Sequence, residues 1–262
     1  MLSNPVKLAL KSGETVVGTF LFEFPSPGLP HIARAAGAEF LLIDMEHTGW
    51  TLETVRRLIA ATPAPELVPL VRVPSTEYHF IARALDMGAM GIMVPMVETA
   101  EQARRIVQSA KYPPAGRRGA AFGIAHDHYR PGPLAEKLQQ ANDEVLLIAQ
   151  IETQQGLASV DDIAAVPGID ALWVGQTDLT CALQIPGQFE HPEFRNALER
   201  VVRAAEAHQK AAAYLLLRPD EADWFVQRGF RLLAYSGDVW IYQQALTSGL
   251  AAIRETIASR GA

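Results

Sequence analysis

Apolar residues in this chain gather into short runs separated by longer stretches of mixed character. The runs are Val16 to Phe22, Phe40 to Ile43, Leu67 to Val73, Gly91 to Val94, Val145 to Ile151, Ala171 to Val174, Ala211 to Leu217 and Phe230 to Ala234. Runs of this length, rich in β-branched residues and bounded by Gly, Pro or Asp, read as buried strands. Between most of them the apolar positions recur with a helical period, as in Leu52 to Ala61, Thr99 to Ala110, Phe194 to His208 and Glu221 to Gly229. Pro27-Gly28 opens one such stretch and Ala36-Gly37 closes it, while Gln227-Arg228-Gly229 stops another just before the last strand. Eight strand–helix alternations predict a parallel sheet closed on itself, an α/β protein of the (β/α)8 TIM-barrel type. Barrels of this kind occupy about 250 residues as one unit. The expectation is therefore a single domain over residues 1–262, with a closing helix at about 238–259.

One connection breaks the rhythm. Lys111 to Asn142 carries Pro113-Pro114-Ala115-Gly116, Arg117-Arg118-Gly119 and Pro131-Gly132-Pro133, and predicts an elaborated loop at about 111–144. Long loops in compact domains tend to be functional. This one includes Ala121-Phe122-Gly123-Ile124-Ala125-His126-Asp127-His128-Tyr129, whose two histidines and aspartate invite a metal reading. No further ligands follow at zinc-like spacing, so a role on the acceptor side of a site or between subunits is expected instead.

Composition narrows the class. Apolar residues make up 49% and charged residues 20%, as in a globular protein with a large core. The net charge of -6 arises from 29 acidic and 23 basic residues spread along the chain, which leaves no basic stripe for nucleic acid. No apolar stretch approaches the ~20 residues of a membrane span. A single cysteine, Cys181, and an opening of Met1-Leu2-Ser3-Asn4-Pro5 without a charged-then-apolar leader lead to the expectation of a cytoplasmic protein.

In a parallel barrel the reacting groups sit at the carboxyl ends of the strands. Those ends present Asp44, Glu46 and His47 after the second strand, Arg72 on the third, Gln150 and Glu152 on the fifth, and Asp178 after the sixth. Half-buried charge is costly unless paired, so four carboxylates, one histidine and one arginine gathered at one rim argue for a built site. Glu152 and Asp178 arrive from adjacent strands and offer oxygen ligands suited to a hard cation such as Mg2+ or Mn2+, with room for water and substrate. Spacing alone leaves metal binding and ordinary solvated carboxylates equally open. Trp173 is read as packing, Cys181 as a small buried residue, and Phe22 as either pocket lining or core.

Several segments resemble the HpcH/HpaI aldolase family: Leu41-Leu42-Ile43-Asp44-Met45-Glu46-His47, Val71-Arg72-Val73, Leu85-Asp86-Met87-Gly88-Ala89, Ile92-Met93-Val94-Pro95-Met96-Val97, Ala149-Gln150-Ile151-Glu152, and Gly168-Ile169-Asp170 through Gly175-Gln176-Thr177-Asp178-Leu179. They occur in order from about residue 16 to residue 240. The resemblance implies a phosphoenolpyruvate/pyruvate-type barrel that cleaves 4-hydroxy-2-oxo acids into pyruvate and an aldehyde, as the 4-hydroxy-2-oxoheptanedioate and 2-dehydro-3-deoxyglucarate aldolases do. It implies a divalent metal (Mg2+ or Mn2+, with Co2+ a further member of the set) on Glu152 and Asp178, Arg72 on the 2-oxo group, an Asp44–His47 pair, and a homohexamer. Gly175, Gln176 and Thr177 would place backbone N–H groups around the pyruvate carboxylate, beside Gln150. A cation and a guanidinium aimed at an oxygen that becomes an enolate stabilise charge where it develops. His47 is then suited to move the proton of the aldehyde-derived hydroxyl. Glu46 is expected to hold metal-bound waters, and Asp86 to brace Arg72 or, alternatively, to be a solvated helix-terminal acid.

Two departures affect the acceptor. Gln176 stands where family members often have proline, and Ala234-Tyr235-Ser236-Gly237-Asp238 ends the last strand. Other readings compete. A Schiff-base aldolase needs a pocket lysine, and Lys7, Lys11, Lys111, Lys137 and Lys210 all fall elsewhere. A citrate-lyase-type or malyl-CoA-type lyase would need a basic site for coenzyme phosphates, which the rim lacks. A non-catalytic oxo-acid-binding barrel shares the fold but would not need His47, Arg72, Glu152 and Asp178 together. No Gly-x-Gly-x-x-Gly follows a strand, so no nucleotide cofactor is expected.

Overall fold

The computed structural model describes residues 2–260; the ends of the expected single domain, residues 1 and 261–262, lie outside them. In chain order the elements are α1 (Pro5–Lys11), β1 (Val16–Leu21), α2 (Leu29–Ala35), β2 (Phe40–Asp44), α3 (Leu52–Ala61), β3 (Val68–Arg72), α4 (Tyr78–Asp86), β4 (Gly91–Val94) and α5 (Ala100–Ala110). They continue with α6 (Leu134–Glu144), β5 (Leu146–Ile151), α7 (Gln154–Ala158), α8 (Val160–Ala164), β6 (Ala171–Val174), α9 (Gln176–Ala182), α10 (Pro192–Ala207), β7 (Ala211–Leu216), α11 (Ala222–Gln227), β8 (Phe230–Gly237) and α12 (Asp238–Arg260).

All eight strands pair in parallel with their sequence neighbours, and β8 returns to β1, closing a (β/α)8 barrel. Strands β2, β3, β4, β5 and β6 are buried on both faces, which is why they read as continuous apolar runs rather than alternating ones. Alternation sorts their side chains into two cores. Phe40, Leu42, Val68, Leu70, Met93, Ile148, Trp173 and Leu232 fill the barrel, whereas Leu41, Ile43, Val71, Ile92, Leu147 and Leu172 meet the helices. Helix starts follow local chemistry: the Thr51 hydroxyl caps α3, and Thr99 with Gln102 forms a reciprocal cap on α5.

Three sequence expectations shift. Helix α1 was not expected, although Asn4 caps it through the Lys7 N–H and Pro5 occupies its first turn; it adds Val6 to the inner core at the amino end of the barrel. The 111–144 segment is not loop throughout, since α6 occupies Leu134–Glu144. The last strand runs past Ala234 to Gly237, with a register shift against β1 and a left-handed Ser236 (φ 49°).

Candidate active site

Strands β2 and β3 end side by side, with Asp44 and Arg72 as register partners. Arg72 Nε donates to Asp44 Oδ1 at 2.5 Å, and Arg72 Nη1 lies 3.2 Å from Glu46 Oε2. Both members of the first pair are buried. Phe20 and Phe22 flank the guanidinium, with ring centroids 5.3 and 5.8 Å from Cζ. Asp44 also shapes the turn after β2: its carboxylate accepts the main-chain N–H of Glu46 at 3.2 Å and of His47 at 2.9 Å. The expected contact between Asp44 and the His47 ring is replaced by one to the His47 backbone. The ring itself is exposed and has Glu46 Oε2 at 3.6 Å.

Two strands further round the rim, Glu152 follows β5 and is 1% exposed. Its Oε1 accepts the Met96 N–H at 2.6 Å and its Oε2 accepts a short hydrogen bond from Gln150 Nε2. Gly175 permits this placement: a Cβ there would lie 2.3 Å from Glu152 Oε2. Gly175 leads into α9, whose first turn carries exposed Thr177 and Asp178. First-turn N–H groups have no intrahelical acceptor. The Gln176 side chain turns away, donating to Leu215 O at 3.0 Å, so any contact of this residue with substrate falls to its main chain.

Some of these groups border a cavity of about 750 Å³, lined by His47, Arg72, Gln150 and Gly175 to Asp178 on one side and by Phe22, Leu215, Leu217 and Trp240 on the other, with Asp44, Glu46 and Glu152 behind its wall. A small 2-oxo acid with room for a second reactant fits such a volume.

A family model described as HpcH/HpaI aldolase/citrate lyase matches residues 22–245. The chain belongs to this family. A 2-keto-3-deoxy-L-rhamnonate aldolase of Klebsiella pneumoniae is 36% identical over 251 residues, covering 96% of this chain and 93% of the relative. Among solved structures, an HpcH/HpaI aldolase from Desulfitobacterium hafniense DCB-2 superposes with a TM-score of 0.91 at 36% identity, covering 95% and 96% of the two chains. The citrate synthase SbnG gives a TM-score of 0.85 at 30% identity, covering 95% and 97%. The chain is accordingly a carbon–carbon lyase of the HpcH/HpaI family.

The rim's electrostatics fit a family built on divalent cations. Four carboxylates (Asp44, Glu46, Glu152 and Asp178) meet one guanidinium. Burial pushes the Glu46 carboxyl up to about 7; Arg72 opposes the shift, and Glu152, Asp44 and Asp178 add to it. Burial likewise raises Glu152, against the bonds from Gln150 and Met96. Gln150 Oε1 is buried without a hydrogen-bond donor. Excess buried negative charge and an orphaned acceptor suit a hard cation that keeps several waters. Among the described residues no three His, Cys, Asp or Glu side chains converge as a complete ligand shell, so protein ligation would rest on the two carboxylates.

Asp86 is elsewhere. It ends α4, which runs antiparallel to the strands, and so lies near their amino ends; its partner is Arg118 at 2.5 Å rather than Arg72. The loop over residues 111–133 packs at that same end, against Gly88 and Met90 before β4 and Val145 before β5. It therefore does not line the acceptor side of its own barrel. Within it, His126 is buried, with Nε2 3.4 Å from the Tyr112 hydroxyl, and Asp127 pairs with Lys137 at 2.6 Å. Burial lowers the His126 ring to about 4, with the Arg118 charge adding to the effect.

Sequence reading noted Asp238 only as part of the departure that ends the last strand, without a role, and missed Trp240. Asp238 accepts the N–H groups of Phe22 at 2.7 Å, Glu23 at 3.0 Å and Phe24 at 2.7 Å, fixing the end of β1 to the start of α12. Trp240 then packs on Phe22 at the cavity wall, the two rings tilted by 57° with centroids 4.8 Å apart. The signal available was Asp238 itself, an acid opening a helix directly after a strand.

Proposed function

We propose that the chain is a class II pyruvate aldolase that reversibly cleaves a 4-hydroxy-2-oxo acid into pyruvate and an aldehyde, within one barrel domain over residues 1–262. The observation that carries this reading is Arg72, buried and held in one orientation by Asp44 and Glu46, on the same rim as Glu152 and Asp178 and within electrostatic range of Glu152. Glu152 and Asp178 would hold Mg2+ or Mn2+, which supplies Lewis acidity toward the carboxylate and 2-oxo oxygens of the substrate.

The protein's own groups then divide the work. The Gly175 N–H is spent on Ile151 O at 3.1 Å, so the N–H groups of Gln176 and Thr177, at the start of α9, orient the carboxylate. Breaking the C3–C4 bond leaves its electron pair on the pyruvate fragment as an enolate, and the Arg72 guanidinium offers its free donors to the enolate oxygen. Removing one such donor from an enzyme typically costs about 2.7–4 kcal/mol of transition-state stabilisation. His47, exposed at the cavity mouth, accepts the C4-hydroxyl proton as the aldehyde forms, with Glu46 beside its Nε2, and the enolate then takes a proton from water at C3 to give pyruvate. The aldehyde sits toward Phe22, Leu215, Leu217 and Trp240.

The likeness to citrate synthase SbnG favours a second use of the same enolate, addition to an oxo-acid acceptor rather than to an aldehyde. Both uses share the first half-reaction. Supporting self-association, α12 exposes Tyr242, Leu246, Leu250, Ile253 and Ile257 along one stripe, as a homohexamer would require of a contact surface. No helix among the described residues is long and apolar enough to cross a membrane, and the single cysteine, Cys181, exposed rather than buried as its sequence suggests, agrees with a cytoplasmic setting.

Exchange of pyruvate C3 protons in heavy water tests the proposal without knowledge of the acceptor. Exchange with Mg2+ or Mn2+, abolished by EDTA and in Glu152→Ala, is the expected result. Absence of exchange with any divalent metal sinks it.

A further inference from the structure

The amino end of the barrel, opposite the reactive rim, carries a second cavity. Its volume is about 630 Å³, and Lys7, Lys11, Lys210 and Asp170 line it over an apolar floor that includes Leu146 and Ile169. Lysine is scarce in this protein, with five among 23 basic residues. Three of the five line this cavity. Lys111 borders it, its side chain beside Gly168 and within electrostatic range of Lys7, Lys11 and Lys210.

The topology brings them together from separate elements. Lys7 and Lys11 sit on α1, Lys111 follows α5, and Lys210 immediately precedes β7. Two carboxylates oppose four ammonium groups: Asp170, and Asp143 near Lys111. Asp170 is already committed, since its Oδ2 accepts from Lys7 Nζ at 3.1 Å and from the Leu147 N–H at 2.9 Å. Lys7 is 4% exposed and also donates to Val145 O at 2.5 Å, so it forms a fixed wall rather than a waving surface chain. Burial lowers Lys7, Lys111 and Lys210; the Asp170 charge opposes this in each, and the neighbouring ammonium groups add to it more weakly. Holding like charges together in a partly desolvated recess is unfavourable unless something offsets it.

We propose that this cavity binds a small phosphorylated metabolite, its phosphate held among Lys11, Lys111 and Lys210 and its carbon skeleton resting on Leu146 and Ile169. A phosphate supplies several acceptor oxygens and up to two negative charges to point-like donors. A recess of this volume suits a ligand larger than the bare ion, and its concavity excludes a duplex or a membrane surface. The site stands independently of the aldolase reading, because the filled barrel interior separates it from the rim.

Calorimetric titration of the full chain at constant ionic strength, with glucose 6-phosphate, inorganic phosphate and citrate as probes and sodium chloride as control, tests the assignment. Glucose 6-phosphate is expected to bind saturably at one site per chain, and inorganic phosphate at the same site more weakly. Lys11→Ala and Lys210→Ala should each weaken binding about tenfold, one charge-assisted contact's worth, whereas Lys11→Arg and Arg56→Ala retain it. Pyruvate exchange by Lys11→Ala should match the parent, which also shows that the variant is folded. Phosphate binding unchanged in both alanine variants would place it elsewhere and overturn the proposal. So would millimolar phosphate probes that fail to saturate, or citrate binding where neither phosphate probe binds.

Discussion

Gly175→Ala isolates how the rim holds Glu152. The glycine has φ -82° and ψ 86°, accessible to alanine, so the substitution carries no left-handed backbone penalty and acts through space alone. The added methyl would lie 2.3 Å from Glu152 Oε2, 2.7 Å from Glu152 Cβ and 3.0 Å from Gln150 Nε2. Glu152 has little room to retreat, being 1% exposed and tied to Met96 N–H at 2.6 Å. Overpacking of this kind costs about 1–3 kcal/mol of stability. Displacing one of two proposed metal carboxylates should weaken metal affinity by about 10–100-fold, the range found when groups that orient ligands are removed. Mn2+ titration by calorimetry gives the affinity, and pyruvate exchange against Mn2+ concentration shows whether excess metal restores the rate. Parental Mn2+ affinity together with a parental exchange rate would refute the assignment of Glu152.

Asp44→Asn keeps the shape of the carboxylate but removes its charge from a buried guanidinium 2.5 Å away. Breaking a buried pair from one side costs about 3–5 kcal/mol, and with Glu46 still 3.2 Å from Nη1 the lower end is expected in urea unfolding. A loss below about 1 kcal/mol would assign the pair surface-like energetics. His126 sets an acid limit on stability. Its folded value of about 4 lies below the ordinary 6.5, so the unfolded chain binds the extra proton first. The histidine's contribution is complete above pH 6.5, falls between 6.5 and 4 by up to about 3 kcal/mol, and changes no further below 4. His126→Gln should flatten that part of the stability–pH curve; a slope identical to the parent's contradicts the burial argument. Trp240→Ala should leave pyruvate exchange near the parental rate while shifting kcat/KM toward bulkier aldehydes by about tenfold, the scale of one or two methylenes in an apolar pocket. Equal loss for every aldehyde and for exchange would make Trp240 structural only.

The barrel was legible because its strands are buried on both faces. Phe40 to Ile43 and Leu146 to Ile151 have no solvent side, so burial writes an unbroken apolar signature that local reading detects. Strand ends were legible for the same reason: a charge that terminates such a run, as Asp44, Arg72 and Glu152 do, must lie at its rim. Periodicity does not reveal what a charge faces. Asp86 looked like a brace for Arg72 because both flank the third unit, yet helix direction carries it to the other end of the barrel, where it meets Arg118. Likewise the His47 ring was matched with Asp44 on sequence proximity, and a turn three residues long instead delivered the His47 backbone to that carboxylate. The role of Asp238 stayed hidden because its partners, Phe22 to Phe24, lie more than two hundred residues away, where only ring closure by β8 brings them.

That closure divides the site into parts of different physical origin. Arg72, Glu152 and Gly175 are fixed by strands β3, β5 and β6, Arg72 by its bond to Asp44 and Glu152 by the Met96 N–H and the close approach of Gly175, so the groups assigned to pyruvate depend on the barrel interior. Phe22 and Trp240 depend instead on a seam where the first strand meets the last helix, held by three N–H bonds to one carboxylate. A change at the seam can resize the acceptor side without moving Arg72, except through the ring contacts of Phe22 with Phe20, 5.1 Å apart, and with the guanidinium. Relatives with different acceptors would then be expected to differ first along β1 and α12, where the cost of a new side chain is paid in exposed packing rather than in buried charge.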